Sequence, residues 1–224
     1  MHDGRMSETL FEVETPRGGV SAAWHDGGKK APAALVVAHG AGAGMHHPFM
    51  AGFCDALSEA GVSAMRFNFP YIEAGRKSPG SPKDAIAAFR AAVEAATART
   101  DGRPVFAGGK SYGGRISSMA AAEGMPAAGL VFLGYPLHAP GKPDQPRDAH
   151  LYDLRQPMLF LQGTKDPFAT PEVLRLVLKK LGKRATYVPF DGAGHSFERS
   201  RKDKAADNAA ALVPFVVEFV REHA

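Results

Sequence analysis

Short strand-like apolar runs recur along the chain, at residues 33–38, 62–67, 105–107, 130–133, 158–161 and 185–188. The first, Ala-Ala-Leu-Val-Val-Ala, is continuously apolar, as expected of a strand covered on both faces. The segments between them change to helical spacing. Residues 49–60 end at Gly61, and residues 83–99 place Ile86, Phe89, Val93 and Ala96 on one side. Residues 115–123 stop at Gly124 with Pro126 beyond. Thr170 as N-cap and Pro171 at the first helical position open a helix carrying Val173, Leu174, Val177, Leu178 and Leu181, which Gly182 ends. Residues 205–222 are helical in pattern, and Pro214 predicts a kink or a restart there. Ahead of all these, Phe11, Val13, Val20, Ala22 and Trp24 flank Pro16-Arg-Gly-Gly19, which predicts a β-hairpin over residues 8–24.

Strands alternating with helices imply a mostly parallel sheet with helices on both faces, built as a single domain over residues 1–224. In such sheets ligands gather where the strands end. The stretch between residues 133 and 158 is rich in Pro, His and Asp and too short to fold into a cap domain, so no lid is expected.

The segment with most chemical content is Pro104-Val-Phe-Ala-Gly-Gly-Lys-Ser-Tyr-Gly-Gly114: a strand, a sharp turn and a small-residue helix. Its turn fits G-x-S-x-G, in which glycines let the backbone fold tightly while the serine hydroxyl stands clear of the sheet. Ser111 is the candidate nucleophile; a glycine-rich turn with an incidental serine is the bland alternative. Gly109-Lys110-Ser111 also resembles the end of a phosphate-binding P-loop, but that motif needs a glycine where Pro104 stands. The loop His39-Gly-Ala-Gly-Ala-Gly-Met45 follows a strand, yet G-x-G-x-x-G fails from Gly40, which needs glycine at Met45, and from Gly42, which needs it at His47. These glycines suit a place where backbone N–H groups face a ligand oxygen at close range. His39, His46 and His47 have no zinc spacing and read as turn-capping or surface residues.

A serine nucleophile needs a base and a group to orient it. Asp166 lies in Gln162-Gly-Thr-Lys-Asp-Pro167 after one strand, and His195 lies in Asp191-Gly-Ala-Gly-His-Ser-Phe197 after the last. Ser111, Asp166 and His195 therefore occur in the chain order associated with α/β-hydrolases. Asp153 and Asp191 are rival acids, neither placed directly after a buried strand with room to reach the site. The N–H groups of Tyr112 and Ala41 are the expected oxyanion donors, with Gly42 as the alternative second donor. Phe69, Tyr71, Tyr135 and Phe168, with Gly42, are expected around the substrate. Lys110 either favours an anionic acyl group or points to solvent.

Composition narrows the partners. Of 224 residues, 45% are apolar, enough for a substantial core, and the formal net charge is +4. The basic clusters Lys179-Lys180 with Lys183-Arg184 and residues 199–204 have no interleaved aromatics, so they read as solvated surface and no nucleic-acid partner is expected. Residues 1–10 lack a signal-peptide core and no run reaches membrane-span length, so a cytoplasmic protein with no membrane partner is expected. The single cysteine, Cys54, forms no internal disulfide and sits in a helical pattern, as a core residue would.

Taken together, residues 39–45, Arg66-Phe-Asn-Phe-Pro-Tyr71 with Glu73-Ala-Gly-Arg76, Gly108-Gly-Lys-Ser-Tyr-Gly-Gly114, Gly163-Thr-Lys-Asp-Pro167 and Gly194-His195 resemble a family of small, cap-less α/β-hydrolases. That family looks related to dienelactone hydrolases and to the testis-expressed and chromatin-complex hydrolase-like proteins of animals. The resemblance spans residue 33 to the end. It implies an α/β-hydrolase fold without a cap and the triad Ser111, Asp166 and His195. Dienelactone hydrolases typically carry cysteine where this chain has Ser111, so their substrate does not transfer. The expectation is a serine hydrolase that splits a carboxylic ester or thioester of a small-molecule acyl substrate, without metal or organic cofactor. A peptidase, or a non-catalytic interaction module on the same fold, is the alternative.

Overall fold

A computed structural model describes residues 8–224 of the chain, so most of the segment judged for a leader lies outside the described residues. The strands are β1 (Glu8–Val13), β2 (Val20–His25), β3 (Ala34–Ala38), β4 (Ser63–Phe67), β5 (Val105–Lys110), β6 (Leu130–Leu133), β7 (Met158–Gly163) and β8 (Ala185–Phe190). All eight form one sheet in the order β1-β2-β4-β3-β5-β6-β7-β8. The predicted hairpin is β1–β2, antiparallel with Val13 opposite Val20. β2 also meets β4 antiparallel, and every pairing from β4 to β8 is parallel.

Among the described residues seven helices accompany these strands: α1 (Pro48–Glu59), α2 (Pro70–Glu73), α3 (Pro82–Thr97), α4 (Tyr112–Ala122), α5 (Pro171–Leu181), α6 (Ala205–Ala210) and α7 (Val213–His223). Pro214 restarts the chain as α7 instead of kinking one long helix, because a proline is tolerated only where its missing N–H is not needed. The stretch between β6 and β7 holds a single short 3₁₀ turn, Ala149–Asp153, and no cap domain.

Continuous apolar strands are required here because alternate residues serve different cores. In β3, Val36 and Ala38 pack with Ile86 and Phe89 of α3 and Ile116 of α4. Leu35 and Val37 face the opposite layer, with Phe53 of α1 and Val216 and Val220 of α7. β6 and β7 divide in the same way: Leu130, Phe132, Met158 and Phe160 go to the first core, and Val131, Leu133, Leu159 and Leu161 to the second. A polar substitution at any of these positions has no solvent face to turn toward. Cys54 is buried in the second core, where burial pushes its thiol up to about 12, so it remains a neutral thiol.

Candidate active site

The strand–turn–helix at Ser111 is held in an unfavourable backbone conformation. Ser111 has φ +50° and ψ −111°, rarely adopted by a residue with a side chain, and α4 begins at the next residue. Two glycines permit the turn by letting β3 pass very close. A Cβ at Gly109 would stand 2.3 Å from the Ala38 carbonyl oxygen, and one at Gly113 only 2.1 Å from it. The glycines of the motif thus reflect backbone proximity as much as flexibility. Ser111 consequently projects from the end of β5, at the N-terminus of α4.

His195, in the loop after β8, reaches Ser111 Oγ through Nε2 at 2.8 Å. Its Nδ1 is 2.7 Å from Asp166 Oδ2, in the loop after β7. Serine, imidazole and carboxylate form one hydrogen-bonded chain assembled from three separate strand ends. The Asp166 side chain is fully buried, whereas His195 keeps partial exposure on the cavity side. Asp191 instead accepts from the Thr164 hydroxyl at 3.2 Å, and Asp153 lies exposed in the 3₁₀ turn. Neither rival acid approaches the imidazole.

The supports of Asp166 include a residue that motif reading passed over. Gln162, the penultimate residue of β7, donates its amide N–H to Asp166 Oδ2 and accepts the Tyr135 N–H at 2.8 Å through its own oxygen. Phe168 N–H donates to Asp166 Oδ1 at 2.8 Å. A buried carboxylate needs such donors to stay ionised and fixed. The signal available in the sequence was a glutamine in an otherwise apolar strand.

His39 is the main correction among the histidines: it is fully buried and is neither a surface nor a turn-capping residue. Its Nδ1–H donates to the Gly40 carbonyl at 2.8 Å and its Nε2 accepts from Phe69 N–H at 3.2 Å, tying the glycine loop to the loop after β4. His47 is the N-cap of α1, accepting from Phe49 N–H at 3.2 Å, and His46 is exposed. Burial lowers the pKa of His39 from 6.5 to about 4. Above that value it is neutral in the folded chain, while the unfolded chain takes up its proton below pH 6.5. Stability is therefore expected to fall as pH drops from 6.5 toward 4, His39 contributing on the order of 3 kcal/mol. Buried His25 and half-buried His150, also lowered, act in the same direction. Urea midpoints for wild type and His39→Gln at both ends of this range check it; the variant should show the shallower dependence.

The segment Arg66–Arg76 has a different role from the one its aromatics suggested. Buried Arg66 pairs with Glu8 and donates to the Met45 carbonyl at 2.8 Å, while Asn68 Oδ1 accepts the Met45 N–H at 2.7 Å. Asn68 and the Ser21 N–H both bond Glu73. This network fixes the far end of the glycine loop. Phe69 and Tyr71, expected as pocket walls, are core residues: Phe69 packs at 5.0 Å from the His39 ring and 5.5 Å from Tyr112. Beneath the loop their rings stack on one another and meet the His39 ring edge-on. Tyr135 is likewise interior, 4.8 Å from Phe132, with its hydroxyl bonded to Ser118 and His150. Gly42, with φ +73°, turns the loop at an exposed position outside the cavity lining.

The cavity itself has a volume of about 330 Å³, at the small end of ligand sites. Gly40, Ala41 and Ala43 line one side, Phe49 and Met50 of α1 another, and Ser111, Lys110, His195, Ser196 and Phe168 the rest, with His47 at the edge. Phe168 thus stands where it was expected, its ring centroid 4.4 Å from that of His195. The sequence reading missed Phe49, Met50 and Ser196. Among the described residues no group of three or more His, Cys, Asp or Glu side chains could hold a metal ion, and no helix is long and apolar enough to cross a membrane.

A sheet of this order, with the serine turn after its fifth strand and no cap over the cavity, defines a lid-less α/β-hydrolase fold. The chain belongs to the alpha/beta hydrolase domain family, whose model matches residues 31–221. Solved structures agree on the fold. A lid-less α/β serine hydrolase from Xanthomonas campestris is similar at 24% identity and TM-score 0.74, with 95% of each chain covered. A dienelactone hydrolase from Anabaena variabilis is similar at 18% identity and TM-score 0.79, covering 98% of this chain and 99% of its own. An α/β serine hydrolase homologue from Coxiella burnetii is similar at 21% identity and TM-score 0.74, covering 94% and 98%.

Proposed function

We propose that the protein is a serine hydrolase that cleaves a carboxylic ester or thioester through an acyl-enzyme intermediate. The observation that carries this reading is the unbroken hydrogen-bonded chain Ser111–His195–Asp166, whose serine and imidazole line the cavity. Ser111 Oγ attacks the substrate carbonyl carbon as His195 Nε2 takes the hydroxyl proton. Asp166 holds the imidazole with Nδ1–H toward the carboxylate and stabilises the imidazolium that forms. The carbonyl oxygen becomes an oxyanion beside the N-terminus of α4. There the Tyr112 N–H and the Ala41 N–H receive it, and the helix dipole adds to the attraction. Ala41 is favoured over Gly42 as second donor because Ala41 lines the cavity and Gly42 does not. Collapse of the tetrahedral intermediate breaks the bond to the leaving alkoxide or thiolate, which takes the proton from His195. Water, deprotonated by the same imidazole, then releases the acid and restores Ser111.

The test is labelling of the folded protein with a fluorophosphonate, which reacts with activated serines. Wild type should be labelled, and Ser111→Ala should not. Absence of labelling on folded wild type would instead favour the interaction module.

A further inference from the structure

Resting on the serine-hydrolase reading, and deepening it, we infer that the cavity receives an ester whose acyl part carries a carboxylate, bound by the ammonium of Lys110. Lys110 is the residue immediately before Ser111, the last of β5, and it lines the cavity. Its exposure is only 7%, yet among the described residues it has no hydrogen-bond acceptor and no carboxylate within the 4.0 Å of an ion pair. A lysine buried to that degree is normally paired, since taking an ammonium out of water unpaired is costly. The missing counter-charge is supplied by whatever fills the cavity. Because Lys110 adjoins the nucleophile in the chain, that charge belongs on the acyl side, a few bonds from the scissile carbonyl.

The surroundings fit a single negative charge. The other lining groups are mostly apolar or neutral: Ala41, Phe49, Met50, Phe168 and Ser196. The titratable groups nearest Lys110 are Asp166, Glu198 and His195, with His47 across the cavity. Asp166 is already saturated by Gln162, Phe168 N–H and His195, so Lys110 is not needed to satisfy it. Burial lowers the pKa of Lys110 to about 8, while Asp166 and Glu198 oppose the shift. At neutral pH the ammonium is still mostly protonated, and desolvation makes it a stronger partner for a carboxylate than an exposed lysine.

The experiment compares p-nitrophenyl half-esters of glutaric and adipic acid with the neutral valerate and hexanoate esters of equal carbon number. Wild type should favour the anionic ester in kcat/KM by about 10- to 100-fold at neutral pH. That ratio should collapse toward one in Lys110→Met, which keeps most of the length of the side chain without its charge. It should also fall in wild type as pH rises from about 7 to about 9.5 through the pKa of Lys110. Both esters are turned over by the same triad, so its contribution cancels in the ratio, and the pH arm decides the matter even if the variant does not fold. No preference in wild type, or an equal loss of both esters in Lys110→Met with the ratio kept, overturns the inference while the hydrolase reading stands. Calorimetric binding of monomethyl adipate against methyl hexanoate to Ser111→Ala protein reads the charge preference without turnover. Equal affinity there overturns the inference whether or not the protein proves to be a hydrolase.

Discussion

Ser111→Ala is expected to lower kcat toward a hexanoate ester by roughly 10⁴- to 10⁶-fold while leaving the fold intact. The serine hydroxyl makes its one side-chain contact with His195 Nε2, so its removal leaves no other buried group without a partner. The strained backbone at this position is imposed by the neighbouring glycines and β3, and alanine meets the same constraint as serine. His195→Ala is expected to cost a comparable factor, because a hydroxyl without its base is scarcely nucleophilic. The two losses will not add: once either member is missing, the other has nothing left to act with, and the double variant should match the worse single one. Steady-state kinetics on the two single variants and the double variant check this. A multiplicative loss in the double variant, or a Ser111→Ala enzyme with more than a hundredth of the wild-type rate, would contradict the proposed mechanism.

Gly113→Ala is expected to produce a large loss of stability from a single added methyl group. The added Cβ would lie 2.1 Å from the Ala38 carbonyl oxygen and 2.6 Å from its carbon. Both are backbone atoms in the central strand β3, which is hydrogen-bonded on both edges and cannot shift without disturbing β4 and β5. Overpacking against backbone that cannot relax should cost on the order of 4–5 kcal/mol or prevent folding. Gly124, just past the end of α4, is the informative control. It has φ +89° but open space around the missing Cβ, so alanine there should cost only about 1 kcal/mol, from conformation alone. Denaturant midpoints of the two variants separate close approach from backbone strain. Similar losses at both positions would mean that β3 does not pass α4 as closely as described.

Much of the architecture was legible because a parallel sheet covered on both faces imposes a repeating pattern. Apolar strands such as Leu130–Leu133 and Met158–Leu161, each followed by a helical period, leave few other arrangements. Boundaries drifted where local chemistry was overridden. β5 continues through Gly108, Gly109 and Lys110, residues that carry no strand propensity, because parallel pairing with β6 extends to Lys110 opposite Leu133. α4 starts at Tyr112, directly after Ser111, since the strained turn needs no spacer.

The aromatic loop shows where the pattern ran out. Phe69 and Tyr71 follow a strand and flank a proline, which suits a pocket wall and a buried brace equally well. Which of the two they are depends on the side of the loop to which His39 turns, and that is settled by a hydrogen bond spanning 30 residues. Gln162 was overlooked for a related reason: its value lies in joining Tyr135 to Asp166, and neither contact is written in the motif around it.

By itself, then, the amino-acid order determined the alternating layers, the sharp turn at residue 111, and the succession of serine, acid and histidine at the ends of strands, because each depends on local propensity or on a short spacing. Only the tertiary structure decided that these three side chains meet, which aromatics face inward, and that Lys110 is buried beside them without a counter-ion among the described residues. Those outcomes depend on contacts between residues far apart in the chain, where the position of one group is set by how an entire strand or loop packs against its neighbours.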